Sequence, residues 1–426
     1  MHNGTVIPTE DASPRPRLSA PALALLILAG LIRIHYLAYT PPDVRTHDVE
    51  GHLDYLDLVA RTGSLPHWGD CVECYHPPLY YLVALPFKMA FSSPVVLQVL
   101  SLAFFMVFLV FGALLIESLS LDPGLRLAFQ ALLCFWPAGI LHAVRIGNDS
   151  LFYALYGAAF YQLFRWIQTR NRRCLLWAAA LSAATLLVKA NGIILYGLLL
   201  SQLAVEWSRS RSRETLRPWR LPLNVLAVGL LLLGAWTLYN RRMVTTSNYL
   251  VGNMEVLTRS LTVRTDLETL AFFDAAKFLQ YPDIGFASDD RGREYFWNFA
   301  LKTSLLGSFP VDDPLHRRLS IGLSALFLVL ALPFAAGARE MFRRHADFFP
   351  LFLANLLLSF LALMFLRIAK PVCCSNDFRY ILPSLLSSCA FLAFGTRTGT
   401  PALNRFAALT LAAFLSLSLL YFLVPS

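Results

Sequence analysis

Charge is scarce in this sequence. Asp, Glu, Lys and Arg make up 15% of it, against 57% hydrophobic residues, and the mean hydropathy is +0.55. Soluble domains carry about 25% charged residues, so a soluble globular body is excluded and a polytopic membrane protein is expected. Acidic residues are the scarcer sign, 27 against 36 basic ones, for a net charge of +9. That excess falls in short clusters between apolar runs, the pattern of a membrane topology signal, and calls for no nucleic-acid partner. No internal repeat and no soluble C-terminal domain are visible. Three of the seven cysteines, Cys134, Cys174 and Cys389, lie in or beside apolar runs and read as packed thiols.

What the chain has in plenty is apolar length. Runs suited to crossing a bilayer occur at 18–39, 95–118, 125–144, 150–167, 175–188, 192–207, 221–239, 319–338, 348–366, 380–394 and 402–424. The expected fold is thus an all-α bundle of about 11 transmembrane helices. The runs at 175 and 380 are short for a ~30 Å hydrocarbon core and are expected to borrow flanking residues. Residues 1–17 form a polar, Pro-rich tail that reads as disordered. The run at 18–39 is too long for a signal-peptide core, and Pro41-Pro42 offers no small-residue cleavage site, so it reads as an uncleaved span. Residues 18–426 then form a single membrane domain.

Basic residues orient it. Arg170, Arg172 and Arg173, then Arg209, Arg211, Arg213, Arg217 and Arg220, then Arg339, Arg343 and Arg344 all fall on one side if the N-terminus is cytoplasmic. Arg15, Arg17, Arg397 and Arg405 join them. Two long loops, 40–94 and 240–318, then face the extracytoplasmic side of a plasma (inner) membrane. The apolar segment 78–91 is about fourteen residues long and reads as an interfacial helix. In the second loop, the run Tyr295-Phe296-Trp297-Asn298-Phe299 followed by Leu301, Leu305 and Leu306 reads as another helix lying on the membrane.

Ionisable residues gather in these outer loops. Thr46-His47-Asp48-Val49-Glu50-Gly51-His52 follows the first span. Val49, Leu53, Leu56 and Ala60 have helical spacing, which puts Asp48 and His52 on one face and Glu50, Asp54, Asp57 and Arg61 on another. Asp48 has two readings, an N-cap or a general base beside the membrane. Arg145-Ile146-Gly147-Asn148-Asp149 lies at an outer junction of two spans, where Asp149 suits a helix cap and Arg145 a snorkelling anchor. Lys189-Ala190-Asn191 ends a short apolar run, and Asp377-Phe378-Arg379-Tyr380 opens another. A lysine or an arginine there is an interface anchor or the partner of a lipid phosphate. Each motif is short; the placement of all four at one membrane face is the stronger signal.

His67, Cys71, Cys74 and His76 have the spacing of a zinc site, but an oxidising outer face favours disulfides, with Cys373 and Cys374 as further partners. A divalent ion held by Asp48, Glu50 or Asp149 stays open as an alternative.

Taken together, Asp48 and Glu50 after the first span, His76-Pro77-Pro78-Leu79-Tyr80-Tyr81, Asn148-Asp149 and Arg379-Tyr380-Ile381-Leu382-Pro383 resemble the family 39 membrane glycosyltransferases. That group, in the glycosyltransferase C superfamily, includes protein O-mannosyltransferases and bacterial aminoarabinose transferases. The likeness runs from about Asp48 to Pro383, in order and topology as much as in letters. It implies a catalytic carboxylate at Asp48 or Glu50, separated here by Val49 where many relatives have adjacent acids. It implies a donor phosphate held by Arg379 and Lys189; His52, His76, Arg145, Asn148, Asp149 and Tyr380, from the same outer loops, are expected around the substrate. The implied partners are a polyprenyl-phosphate-linked sugar and a glycan, lipid or protein acceptor, within membrane lipids. No cytoplasmic loop is long enough for a nucleotide-sugar domain, which agrees. A transporter or flippase of a lipid-linked or anionic solute is the rival reading. It calls for charges or broken helices near mid-bilayer in paired halves, whereas these charges lie at one face.

Overall fold

The computed structural model describes residues 16–44, 48–210, 218–241, 261–286 and 288–425. Most of the tail, Thr46, His47, Arg211, Arg213 and Arg217, and residues 242–260 of the second loop lie outside these described residues.

The architecture is helical. α1 (Ala20–Ala38) forms the first expected span, and α2 (Val49–Thr62) and α3 (Leu79–Ala90) fill the first loop. α4 (Val95–Ser118), α5 (Pro123–Phe135) with α6 (Pro137–Leu141), α7 (Asp149–Thr169), α8 (Arg172–Val188), α9 (Ile193–Ser210) and α10 (Arg220–Arg241) follow. α11 (Leu267–Ala271), α12 (Ala275–Gln280) and α13 (Phe296–Leu306) lie in the second loop. Next come α14 (Pro314–Val329) with α15 (Ala331–Arg344), α16 (Phe349–Ala369), α17 (Leu385–Phe394) and α18 (Pro401–Leu423). Among the described residues the one β feature is an isolated antiparallel bridge, Thr262 to Val372.

Every expected run is helical in its expected place. Among the described residues six helices are long and apolar enough to cross a bilayer, or eight if each bent pair counts as one span, so the chain is an integral multi-pass membrane protein. α7, α8 and α9 pass no such test. Their composition reflects their position, because α7 is buried along most of its length between α4 and α8 and meets protein rather than lipid. Its 21 residues still rise about 31 Å, enough to cross a ~30 Å core. The short run at 380–394 is lengthened as expected. It belongs to a helical stretch Cys373–Arg397, entered through the 3-10 segment Phe378–Ser384 and 94% buried over its spanning window.

The bend between α5 and α6, 52°, shows how charge is accommodated inside. Pro137 removes a backbone donor, which ends α5 and frees carbonyls. Arg33 of α1 is fully buried and supplies the missing donors, with Nη2 reaching Cys134 O at 2.9 Å and Gly139 O at 3.1 Å. Ser418 Oγ donates to Phe135 O at 2.7 Å. In a bilayer these carbonyls have no water to turn to, so a side chain must satisfy them.

The second loop braces the chain just before residue 379. Val263 N donates to Pro371 O at 3.0 Å and Cys373 N to Leu261 O at 3.0 Å. α13, the helix expected from the aromatic run, presents Thr303 Oγ1 to Phe378 N at 2.9 Å. Its carbonyl at Ser304 accepts Trp136 Nε1 at 2.7 Å, which ties the brace to the α5–α6 bend.

Candidate active site

Asp48 stands just before α2 with φ 70°, in the left-handed region. Asp tolerates that backbone better than most side chains, and non-glycine residues held there cluster at functional sites. Its carboxylate makes no capping bond to the helix, so the N-cap reading fails. Instead, Arg379 Nη2 donates to Asp48 Oδ2 at 2.8 Å, joining residues 331 positions apart. The Asp48 side chain is 35% exposed and that of Arg379 only 9%, so the acid lies nearer the surface and the guanidinium deeper in.

Arg379 is the hub. Its Nε lies 3.7 Å from Asp377 Oδ2, and among the described residues that buried Nε has no hydrogen-bond partner. Its guanidinium stands 5.0 Å from the centre of the Tyr380 ring, and Lys189 Nζ approaches the same ring at 4.7 Å. Lys189 also forms an ion pair with Asp149. The backbone here is held from both sides. Tyr153 Oη donates to Arg379 O at 2.7 Å, and Asn191 Nδ2 to Tyr380 O at 2.9 Å. Arg145 lies close enough to act electrostatically on Asp48 and Asp149, stacks over Phe309 at 5.2 Å and bonds to His142 at 3.2 Å. Three cations, Arg145, Lys189 and Arg379, thus face three carboxylates, Asp48, Asp149 and Asp377, in one place.

A second layer lies under α2. His52 is buried, with Nδ1 2.8 Å from Tyr81 Oη, and its ring stacks on that of His76 at 5.9 Å. His76 Nε2 lies 2.8 Å from Glu73 Oε2. Two glycines permit this packing. A Cβ on Gly51 would come within 2.6 Å of Glu73 Cγ, and one on Gly147 within 2.9 Å of His52 Nε2.

The titrations follow from these contacts. Burial alone would raise the Asp48 carboxyl, but Arg379, Arg145 and His52 outweigh it and hold it well below the usual carboxylate range. Burial likewise opposes ionisation of Glu73, and the bond from His76 overcomes it, so Glu73 is lowered. His52 goes the other way. Burial dominates and lowers it from 6.5 to about 4, with Glu73 and Asp48 resisting, so the ring is neutral at physiological pH.

The structure thus brings Asp48, His52, His76, Arg145, Asp149, Lys189, Arg379 and Tyr380 into one region. Glu50 is different: it lies on the exposed face of α2 and makes no hydrogen bond or ion pair among the described residues. Asn148 is near, but its Nδ2 points to Val188 O at 3.4 Å and ties α7 to α8. Cys71 and Cys74 bond to each other, so the zinc reading falls. Cys373 and Cys374 are free thiols, contrary to the expected further disulfides, since Cys71 and Cys74, the loop cysteines they would have joined, are bonded to each other. Among the described residues no group of three or more His, Cys, Asp or Glu is placed to hold a metal ion. Asp48, Glu50 and Asp149 do not converge into a ligand set, since a basic residue occupies each of the two that face inward.

No protein-family model and no curated relative matches the chain. Among solved structures it is similar to ArnT from Cupriavidus metallidurans bound to undecaprenyl phosphate. That alignment covers 89% of this chain and 78% of that one at 12% identity, with a TM-score of 0.44. The apo state of the same protein aligns over 88% and 77% at 12% identity, with a TM-score of 0.40.

Glu73 and Tyr153 escape the sequence reading, and Tyr81 enters it only as the end of the motif that begins at His76. Glu73 sits between two cysteines, where the ligand-like spacing of the sulfurs draws attention from the acid. Tyr153 falls one turn after Asp149 on α7, and that i, i+4 spacing from a candidate site residue is the signal that was there to use.

Proposed function

We propose that this chain is a membrane glycosyltransferase of the family 39 kind, moving a sugar from a polyprenyl-phosphate carrier to a hydroxyl or amine acceptor at the extracytoplasmic face. The observation that carries the proposal is the Asp48–Arg379 pair. An acid nearer the surface meets a deep guanidinium that still has an unpartnered donor, with Lys189 against the same tyrosine ring.

Each group then has a task. Asp48 accepts the proton of the attacking acceptor and faces the positive charge growing at the anomeric carbon. Arg379 and Lys189 take the phosphate that leaves with the lipid. Their charges are set before the reaction and shielded from water, where such stabilisation is strongest. Arg145 adds to that field. Asp149 holds Lys189 in position, and Asp377 does the same for Arg379. His76, backed by Glu73, lines the acceptor side with His52. Glu50 faces away, which leaves Asp48 as the base.

The test is transfer by the purified protein in proteoliposomes from radiolabelled polyprenyl-phosphate sugars, with Asp48→Asn beside it. Mass spectra of lipid-linked sugars and surface glycans from cells with and without the protein choose the donor. Release of sugar phosphate without transfer, or equal activity of Asp48→Asn, ends the proposal.

A further inference from the structure

A furrow of about 430 Å³ runs between α5 and α18, at the far end of the molecule from Asp48. Its walls are apolar, with Leu127 and Leu132 on one side and Leu411 and Leu415 on the other. Small residues leave the space open: Ala128 and Ala131 on α5, Ala408 and Ala412 on α18. Gly124 to Leu132 rises about 12 Å and Arg405 to Leu415 about 15 Å, and one leaflet of a ~30 Å core is about 15 Å deep. The furrow is therefore one leaflet long.

Its head is basic. Arg397 and Arg405 lie there, and Gly124 makes room for the first, since a Cβ on that glycine would come within 2.7 Å of Arg397 Nη2. Arg397 pairs with Asp122 at 3.0 Å, and Arg344 donates to the Arg397 carbonyl at 3.2 Å. Arg405 is exposed and makes no ion pair among the described residues. One carboxylate thus stands against two guanidiniums at the furrow head, with Arg343 and Arg344 behind, the latter two shared with Glu340. This is the arginine-rich end, which the charge pattern assigns to the cytoplasmic leaflet, where anionic lipids reside.

We infer that the furrow is a binding site for an anionic glycerophospholipid, one acyl chain lying between α5 and α18 and the phosphodiester at Arg405 and Arg397. Charge complementarity chooses the headgroup and furrow length the chain. The site shares no residue with the proposed donor-phosphate site and is independent of the proposed reaction.

Native mass spectrometry and melting curves of the full-length detergent-purified protein test it. The ligands are phosphatidylglycerol, phosphatidylcholine of the same chains, and inorganic phosphate. One phosphatidylglycerol is expected to be retained and to raise the melting temperature, with phosphatidylcholine weaker and phosphate alone without effect. Arg405→Gln is expected to weaken phosphatidylglycerol about fivefold, the worth of one basic residue near the headgroups, and to leave lipid-free melting unchanged. Ala412→Phe fills the furrow and is expected to abolish retention of both lipids. Equal retention of the two lipids by the wild-type protein overturns the inference. So does undiminished binding in Arg405→Gln, or a second protein copy in place of lipid. If Ala412→Phe does not fold, the headgroup comparison and Arg405→Gln still decide. Stabilisation by inorganic phosphate alone would show an ion site and no lipid site.

Discussion

The two ends of this molecule use the same residue types for different ends. At the Asp48 end, Arg379 and Lys189 have side chains 9% and 6% exposed, each held against a carboxylate from a distant segment. At the opposite end, Arg170, Arg343, Arg344 and Arg397 are between 44% and 66% exposed, and two of them, Arg343 and Arg344, pair within one helical turn. Exposed pairs are worth about 0–1 kcal/mol, whereas breaking a buried pair costs about 3–5 kcal/mol. The basic residues at one end are thus exposed and loosely paired, while those at the other are buried and fixed by their partners.

Asp48→Asn should test that contrast most sharply. Removing a general base costs roughly 10²–10⁴-fold in rate, so transfer is expected to be lost; because Arg379 also loses its charged partner, the melting temperature is expected to fall while the protein still folds. Glu50→Gln, a change on the exposed face of the same helix, is expected to stay within about threefold of wild type, because groups outside the reacting centre carry no part of that factor. A dead Glu50→Gln beside an active Asp48→Asn would reverse the assignment.

Lys189→Gln comes next. It strands Asp149 in a buried place and is expected to lower stability by about 3–5 kcal/mol, with Asp149→Asn on top recovering part of the loss. Additive losses in the thermal double-mutant cycle would show that the pair is uncoupled. Arg379→Lys keeps the charge but loses the planar fork, and donor binding is expected to remain weak.

His52 gives a pH signature. Its folded value, about 4, lies below the unfolded 6.5. As pH falls from 6.5 to 4 only the unfolded chain gains the proton, so stability is lost across that window and is complete above it. The loss amounts to about 3 kcal/mol, and His52→Gln is expected to flatten the melting profile between those pH values. Parallel profiles would rule out His52 as the source.

Gly51→Ala places a methyl against Glu73 and is expected to cost about 1–3 kcal/mol, readable as a lower melting temperature. The smallest effect belongs to the other end. Arg343→Gln should change stability by less than about 0.5 kcal/mol, and a larger change would break the contrast between the ends.

Much of the fold is legible in the sequence. Apolar runs mark the helices because burial in lipid demands long hydrophobic segments. The motifs around Asp48, Asp149, Lys189 and Arg379 announce themselves as charge where charge is costly. Their pairing is not legible. That Asp48 meets Arg379, and Asp149 meets Lys189, depends on how helices cross, and no local pattern encodes it. Cys373 and Cys374 mislead for the same reason, since proximity in a loop says nothing about the direction of a sulfur. Helical spacing already puts Glu50 and Asp48 on different faces, but which face meets the basic residues is seen only when the helix is seated.

Arg33 carries a consequence for how the protein is made. Its acceptors at Cys134 and Gly139 lie 101 and 106 residues downstream. At about 5–20 residues per second, the ribosome needs about 5–20 s to supply them after α1 emerges. For that interval a guanidinium in the last third of the first span waits without these partners, at a cost of up to about 2.5–3.5 kcal/mol, the insertion-scale figure for a helix centre. Biogenesis is thus a timed handover from the insertion machinery to the chain itself. Nascent chains truncated before residue 134 are expected to leave α1 extractable at alkaline pH, and Arg33→Leu to anchor it at once.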